Sequence, residues 1–380
     1  MMSLNSKHEL VEVVRPRYLK ANKAEKQKIL DEFTSATGYH RKHAIRVLKN
    51  RVPKSGRRKR TGYPTIYSGE VVQALEQIWE IYGHLCSKRL QPFLPEGIRV
   101  LERCQEIQLS KDTKELLLKI SSASIDRCLR PVRLQTPHGL STTKPGSLLK
   151  NLIPVRTFTE WDAERPGFLE IDLVAHCGNT TEGQYLNTLT CTDLCTGWTE
   201  VSAVRQRSQE AVSEAIQRMR QRLPFPLLGI DSDNGGEFIN DLLYRYCLQE
   251  QITFTRSRPY KKNDQAHVEQ KNWSVVRHTV GYDRWETQEE LLLLESIYDP
   301  LRLYINFFQP SLKLVAKERI GNKTLKRYDL AKTPYQRVLE RHDVSLQPKA
   351  QLMNFYVQLN PAELRRRIDQ KTAKLWKISR

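Results

Sequence analysis

The sequence predicts a multidomain protein in which all-α N-terminal units precede a mixed α/β core and a basic C-terminal segment. Three observations support this fold class. The chain of 380 residues is too long for one ordinary domain. Up to about residue 135, apolar residues recur at the three-to-four spacing of helices. After Pro166, short β-rich runs begin to alternate with helical patterns, which is typical of a mixed α/β core.

The N-terminal region has the pattern of a helix-turn-helix unit. Residues 8–33 have helical spacing, Thr37 and Gly38 form a turn signal, and a second helix is expected from Tyr39 to Leu48, with Ala44, Ile45 and Leu48 inward. In this interpretation the second helix faces the DNA major groove through Arg41, Lys42, His43 and Arg46. The alternative is an ordinary helical hairpin with a solvated basic face.

A basic linker and further helices follow. The run Arg57, Arg58, Lys59 and Arg60 lies among Pro and Gly residues, as expected of an arm that contacts phosphates or the minor groove. Helical periodicity resumes at Glu70–Ile81 and Ile98–Ile107. A third helical segment over residues 121–133, with Ser121 or Ser122 as its cap, makes a second helix-turn-helix-like unit plausible.

Charge is distributed unevenly along the chain, whose net charge is +19. Residues 1–66 carry 17 Lys and Arg against 5 Asp and Glu, and residues 301–380 carry 18 against 6. Residues 161–280 carry 13 against 16. Two basic ends around a slightly acidic middle indicate an enzyme that binds nucleic acid and gathers metal ions, more than a simple coat protein. An acidic membrane surface is the rival partner, but no amphipathic basic helix supports it.

Cysteine usage and hydropathy indicate the compartment. The seven cysteines are scattered and form no CxxC pair, which argues against a disulfide framework and a structural zinc site. The chain has neither the apolar core of a signal peptide nor an apolar run of membrane-spanning length. We therefore expect a cytoplasmic, nucleoid-associated protein without a membrane partner.

Three acidic residues stand out in the middle region, where the expected element order is β-β-β-α-β-α-β-α with an antiparallel meander first. Asp172 interrupts an apolar strand, a costly position unless its charge is offset. Asp233 ends a strand in the run IDSDNGGEF, and Glu269 lies 35 residues later in the helical run DQAHVEQKN, for which Asn263 or Asp264 is the expected cap. Because side chains alternate along a strand, Glu170 and Asp231 share the faces of Asp172 and Asp233 and compete with them as candidates.

The strand aspartate, the DNG-x-EF motif and the helical glutamate 35 residues later resemble the retroviral-integrase superfamily of DDE recombinases. The sequence looks closest to the transposases of bacterial insertion sequences, over residues 160–308. The resemblance implies an RNase H-like core with a five-stranded mixed sheet flanked by helices. It also implies that Asp172, Asp233 and Glu269 bind two Mg²⁺ ions, for which Mn²⁺ can substitute. The implied reaction is DNA 3′-end cleavage and strand transfer, by a homo-oligomer that holds element ends and target DNA.

These patterns together give a domain organisation and a further set of DNA contacts. We expect a helix-turn-helix unit (1–52), a basic linker (53–66), a second helical unit (67–135), a connector (136–160), the catalytic core (161–308) and a basic segment for DNA binding or assembly (309–380). Lys261, Lys262 and Lys271 flank the helical glutamate and are candidates for donor-DNA phosphate contacts; a solvated helix face is the alternative. Two other functions stay open, a catalytically silent DNA-binding remnant of a transposase and an RNase H-like nuclease.

Overall fold

A computed structural model describes residues 2–49, 66–134, 165–205, 208–233, 238, 241–257, 266–320 and 323–378. The predicted linker contacts Arg57–Arg60, the connector 136–160, and Lys261 and Lys262 lie outside the described residues. The chain divides into two compact units, Met1–Ile66 and Tyr67–Arg380.

The first unit is a small helical bundle of α1 (Leu4–Lys20), α2 (Lys23–Thr37) and α3 (Arg41–Lys49). The helical spacing predicted over residues 8–33 corresponds to two helices, because Asn22 starts a new helix through a capping box with Glu25. Gly38, with φ of 68°, ends α2 in the left-handed conformation, which confirms the expected turn. Ala44 and Leu48 of α3 are fully buried against α1 and α2, and Ile45 packs beside them, as expected.

The second unit begins with four helices, α4 (Glu70–Ile81), α5 (Ser87–Arg103), α6 (Lys111–Lys119) and α7 (Ser122–Arg133). The sequence predicts α4 with its observed bounds, since its apolar residues repeat at helical spacing and are buried. Helix α5 begins eleven residues before the expected start at Ile98, and α6 was not expected. Ser121 caps α7 by accepting a hydrogen bond from the Ser124 amide at 3.2 Å.

A five-stranded mixed sheet follows, formed by β1 (Phe168–Ala175), β2 (Asn187–Asp193), β3 (Thr199–Val204), β4 (Gly229–Ser232) and β5 (Thr253–Arg256). The strand order is β3-β2-β1-β4-β5. Strands β1, β2 and β3 pair antiparallel, whereas β4 pairs parallel with both β1 and β5. This is the RNase H-like architecture, and it confirms both the expected element order and the initial meander.

Helices cover the sheet. Helix α8 (Gln209–Arg220) follows β3, α9 (Asp241–Gln249) follows β4, and α10 (Ala266–Lys271) follows β5. Helix α10 continues through a π-helical turn, Asn272–Arg277, into the short α11 (His278–Val280). The long α12 (Gln288–Phe308) packs against β3. Because β2 and β3 are buried along their whole length, the sheet forms the centre of the core of this unit.

The C-terminal part combines a β-hairpin with helices. Strands β6 (Leu314–Ile320) and β7 (Lys323–Tyr328) pair antiparallel, and α13 (Pro334–Glu340), α14 (Leu346–Gln358) and α15 (Pro361–Ile378) follow. The sequence predicts a basic, partly helical segment here and misses the hairpin. Helix α15 lies along α12, and the Arg103 guanidinium of α5 donates to the Leu359 carbonyl at 3.0 Å. None of the helices among the described residues has both the length and the apolar composition needed to cross a bilayer.

Candidate active site

Two neighbouring parallel strands bring the candidate aspartates together. The register of β1 and β4 pairs Leu169 with Ile230 and Glu170 with Asp231. Continued by two residues, the same register brings Asp172 beside Asp233, on the face that also carries Glu170 and Asp231. The charge of Asp233 acts on the Asp172 carboxyl and raises its pKa, so the two carboxylates lie within electrostatic reach of each other.

Asp172 accepts two hydrogen bonds within the protein. Its Oδ1 accepts from the Leu173 amide at 2.8 Å, and its Oδ2 accepts from the Asn272 side-chain amide at 2.6 Å. Burial raises the pKa of Asp172 to about 7, and the negative charges of Asp233 and Glu269 act in the same direction. The two hydrogen bonds oppose this effect without cancelling it. Asp172 is therefore a carboxyl whose ionisation requires a nearby positive charge or a higher pH.

Glu269 lies on α10, exposed to solvent, and contributes the weakest of these effects on Asp172. Among the residues that the structure describes, no group of three His, Cys, Asp or Glu side chains is close enough to hold a metal ion together. The structure thus brings Asp172 and Asp233 together and places Glu269 near them without completing a three-ligand site. The adjacent oxygen donors nevertheless fit a divalent cation, because hard cations prefer carboxylates and would relieve their mutual repulsion.

The two acids on each strand differ in their partners. Glu170 is 1% exposed, and its Oε2 accepts hydrogen bonds from the amides of His267 and Val268, each at 3.0 Å. Asp231 is fully buried and accepts from the Thr255 hydroxyl at 2.6 Å. Asp172 and Asp233 are both partly exposed. Glu170 and Asp231 therefore form a buried layer of carboxylates beneath the more accessible pair.

The helix that carries Glu269 is attached to β1 by side chains that sequence reasoning missed. Asn272 contacts Asp172, and the Arg277 guanidinium donates to the Ala175 carbonyl at 2.6 Å. A signal for Asn272 was present, since it follows Glu269 by three residues and shares its helix face. Asp193, the last residue of β2, stabilises the turn that follows, because its carboxylate accepts from the amides of Gly167 and Thr196.

The predicted DNA contacts occupy different environments. On α3, Lys42 and Arg46 are exposed, Arg46 lies 3.0 Å from the His43 ring nitrogen Nδ1, and Arg41 forms an ion pair with Asp31 of α2. Lys271 is half-buried, and burial lowers its pKa to about 8, with smaller effects from the charges of Arg89 and Arg337. Lys271 is therefore less accessible to a phosphate than Lys42 and Arg46 are.

Comparisons with known proteins agree with this fold. The model of the integrase core domain family matches residues 162–262, which include Asp172 and Asp233. The chain therefore contains an integrase core domain over these residues. The protein y4rM of Sinorhizobium fredii, described as uncharacterized, is 43% identical over 331 residues, which is 86% of this chain and 93% of that protein.

Two solved structures are similar to part of the chain. The catalytic core domain of BIV integrase is 20% identical, with a TM-score of 0.31, over 46% of this chain and 94% of the viral one. The HTLV-2 integrase catalytic core domain, solved in complex with magnesium, is 16% identical, with a TM-score of 0.29, over 38% of this chain and 90% of that one.

Proposed function

We propose that this protein is the DDE transposase of an insertion sequence, which cleaves the 3′ ends of its element and joins them to target DNA. The observation that carries the proposal is the pair Asp172, within β1, and Asp233, just after the neighbouring β4, with Glu269 within electrostatic reach. Three carboxylates from two strands and a helix suit phosphoryl transfer assisted by divalent metal ions.

Asp172, Asp233 and Glu269 are the residues that would hold two Mg²⁺ ions, and Mn²⁺ can substitute for Mg²⁺. Mg²⁺ is also the ion in the HTLV-2 integrase structure. When bound, the ions activate the attacking oxygen and stabilise the leaving oxygen at phosphorus. The chain's own contribution is to position the oxygen ligands. The backbone amide of Leu173 and the side chain of Asn272 fix the orientation of the Asp172 carboxylate.

The proposed substrate is DNA, in the form of the terminal inverted repeats of the element and its target, in the cytoplasm. A net charge of +19 supports a polyanionic partner. We assign phosphate and groove contacts to the basic residues Arg41, Lys42, His43, Arg46, Arg57, Arg58, Lys59, Arg60, Lys261, Lys262 and Lys271. A homo-oligomer follows from the reaction, because two DNA ends must be joined together.

The test is cleavage and strand joining on labelled DNA that carries the repeats flanking the gene, with Mg²⁺ or Mn²⁺. Asp172→Asn, Asp233→Asn and Glu269→Gln are each expected to abolish 3′-end nicking and leave DNA binding intact. Glu214→Gln is the matched control, because Glu214 is an exposed glutamate on α8. Its activity is expected to equal that of the wild type.

Each outcome identifies one function. Metal-dependent nicking that all three changes abolish supports the transposase. Specific binding without cutting by the wild type would instead identify a catalytically silent DNA-binding remnant. Cutting of RNA–DNA hybrids in preference to the flanking repeats would identify an RNase H-like nuclease.

A further inference from the structure

Glu170 is a buried carboxylate that contacts the backbone of the helix carrying Glu269. It lies in β1 two residues before Asp172, on the same face of the strand. Its Oε2 accepts from the amides of His267 and Val268, each at 3.0 Å, and these are among the first amides of α10. The first amides of a helix lack partners within the helix, and a carboxylate satisfies them with charge-assisted hydrogen bonds.

The surroundings of Glu170 indicate that its hydrogen bonds to α10 offset the free-energy cost of burying a carboxylate. Glu170 is 1% exposed and is the register partner of the fully buried Asp231 on β4. Two acidic residues on neighbouring strands in the interior are unfavourable unless specific contacts compensate. Thr255 donates to Asp231, and the amides of α10 donate to Glu170. An apolar residue at position 170 would fill the core without this cost. The acidic side chain of Glu170 therefore calls for an explanation other than core packing.

We propose that Glu170 is a positioning residue of the active site, which fixes the start of α10 so that Glu269 faces the Asp172 and Asp233 pair. Glu269 lies one residue beyond the amides that Glu170 holds, and Asn272, three residues further, contacts Asp172. The segment with Glu269 is therefore held to β1 on both sides. This inference rests on the proposed function, but its test does not require DNA cleavage.

The direct test is a Mn²⁺ titration of the full chain, with free Mn²⁺ followed by electron paramagnetic resonance. Glu170→Ala is expected to weaken Mn²⁺ binding by on the order of tenfold or more, the usual effect of removing a residue that orients a metal ligand. Glu170→Gln keeps a side-chain oxygen that can accept from both amides. It is expected to retain Mn²⁺ affinity close to that of the wild type, although it lacks the charge.

A matched control separates positioning from general loss of stability. Glu200 is a fully buried glutamate in the same sheet, on β3, which does not adjoin β4. Glu200→Ala removes a comparable buried carboxylate and is expected to leave Mn²⁺ affinity unchanged. Equal weakening by Glu200→Ala and Glu170→Ala would overturn the proposal, because the effect would then reflect stability alone.

A double-mutant cycle tests whether Glu170 acts through Glu269. If it does, Glu170→Ala is expected to have little further effect on Mn²⁺ affinity in a chain that already carries Glu269→Gln. Additive effects would overturn the proposal, as would failure of the wild type to bind Mn²⁺. A wild type that binds Mn²⁺ in a Glu170-dependent manner, yet never nicks DNA, would contradict the transposase and leave the positioning role intact.

Discussion

Replacing Asp172 by Asn should stabilise the metal-free protein at alkaline pH, although it removes the central residue of the proposed site. In the folded chain the pKa of Asp172 is about 7, against an ordinary value of 3.8. Between these values the folded state binds more protons at this residue than the unfolded state. The free energy of unfolding therefore decreases as the pH rises through this interval, and the loss is complete above pH 7.

The magnitude follows from the size of the shift. A difference of about three pKa units corresponds to about 4 kcal/mol at full ionisation, of which about 1.5 kcal/mol is already lost at pH 5. Asp172→Asn removes this dependence. Relative to the wild type, the variant should thus gain about 2.5 kcal/mol between pH 5 and pH 8, as an upper limit.

Local packing allows the substitution. The Oδ1 of Asn272 is buried and has no hydrogen-bond partner among the residues that the structure describes. The amide of Asn272 can therefore rotate by 180° and accept from the new amide at position 172, in place of the bond that it now donates. The fold is expected to tolerate the variant.

The assay is urea unfolding of the full chain at pH 5 and pH 8, with chelator and again with Mg²⁺. Glu200→Gln serves as the control, because burial also raises the pKa of Glu200 to about 7. Both variants should gain stability at pH 8 relative to the wild type. Mg²⁺ should stabilise the wild type and Glu200→Gln, and leave Asp172→Asn unaffected. An equal difference between Asp172→Asn and the wild type at both pH values would refute the reasoning.

Three further predictions concern the fold. Asn22→Ala should destabilise α2 by about 1 kcal/mol, seen as faster hydrogen exchange of the amides of that helix, while α4 is unchanged. Gly229→Ala should lower the free energy of unfolding by about 1–3 kcal/mol, because a Cβ atom would lie 2.5 Å from Cδ1 of Phe168. In a double-mutant cycle Phe168→Leu should recover part of this loss, and additive losses would contradict the contact. Arg103→Ala should lower the free energy of unfolding by about 1–3 kcal/mol, seen as a lower urea midpoint, since the Arg103 guanidinium donates to the Leu359 carbonyl. Arg103→Lys should restore little of this loss, and full recovery would argue against the guanidinium contacts.

The sequence predicts those elements of the fold in which buried residues recur at regular intervals. Helix α4 is predicted with its observed bounds because one face is buried and repeats every three to four residues. The hairpin of β6 and β7 is missed for the opposite reason. Leu314, Val315 and Leu325 are exposed, so neither strand has the alternation that one buried face imposes. The break at Asn22 is a local capping effect that the apolar spacing on either side conceals.

For the site, spacing identifies the acids but not their contacts. The sequence predicts Asp172, Asp233 and Glu269, but Glu170 and Asp231 share the same strand faces and cannot be distinguished from them by alternation. Their difference depends on non-local partners, namely the amides at the start of α10 and the hydroxyl of Thr255. The contact between Asn272 and Asp172 likewise joins residues 100 positions apart. The π-helical turn that begins at Asn272 has no signal in the apolar pattern.

The attachment of the helix to β1 explains why Glu269 lies where it does. Residues 170, 172 and 175 of the strand contact residues 267, 272 and 277 of the helical segment in the same order. Five strand residues span roughly 17 Å and ten helical residues roughly 15 Å, so the two elements match in length and run side by side in one direction. Glu269 falls between the first two contacts, alongside the part of β1 that ends at Asp172. We therefore expect loss of either of these two contacts to loosen the segment between them, so that the carboxylate of Glu269 is held less firmly near the aspartates.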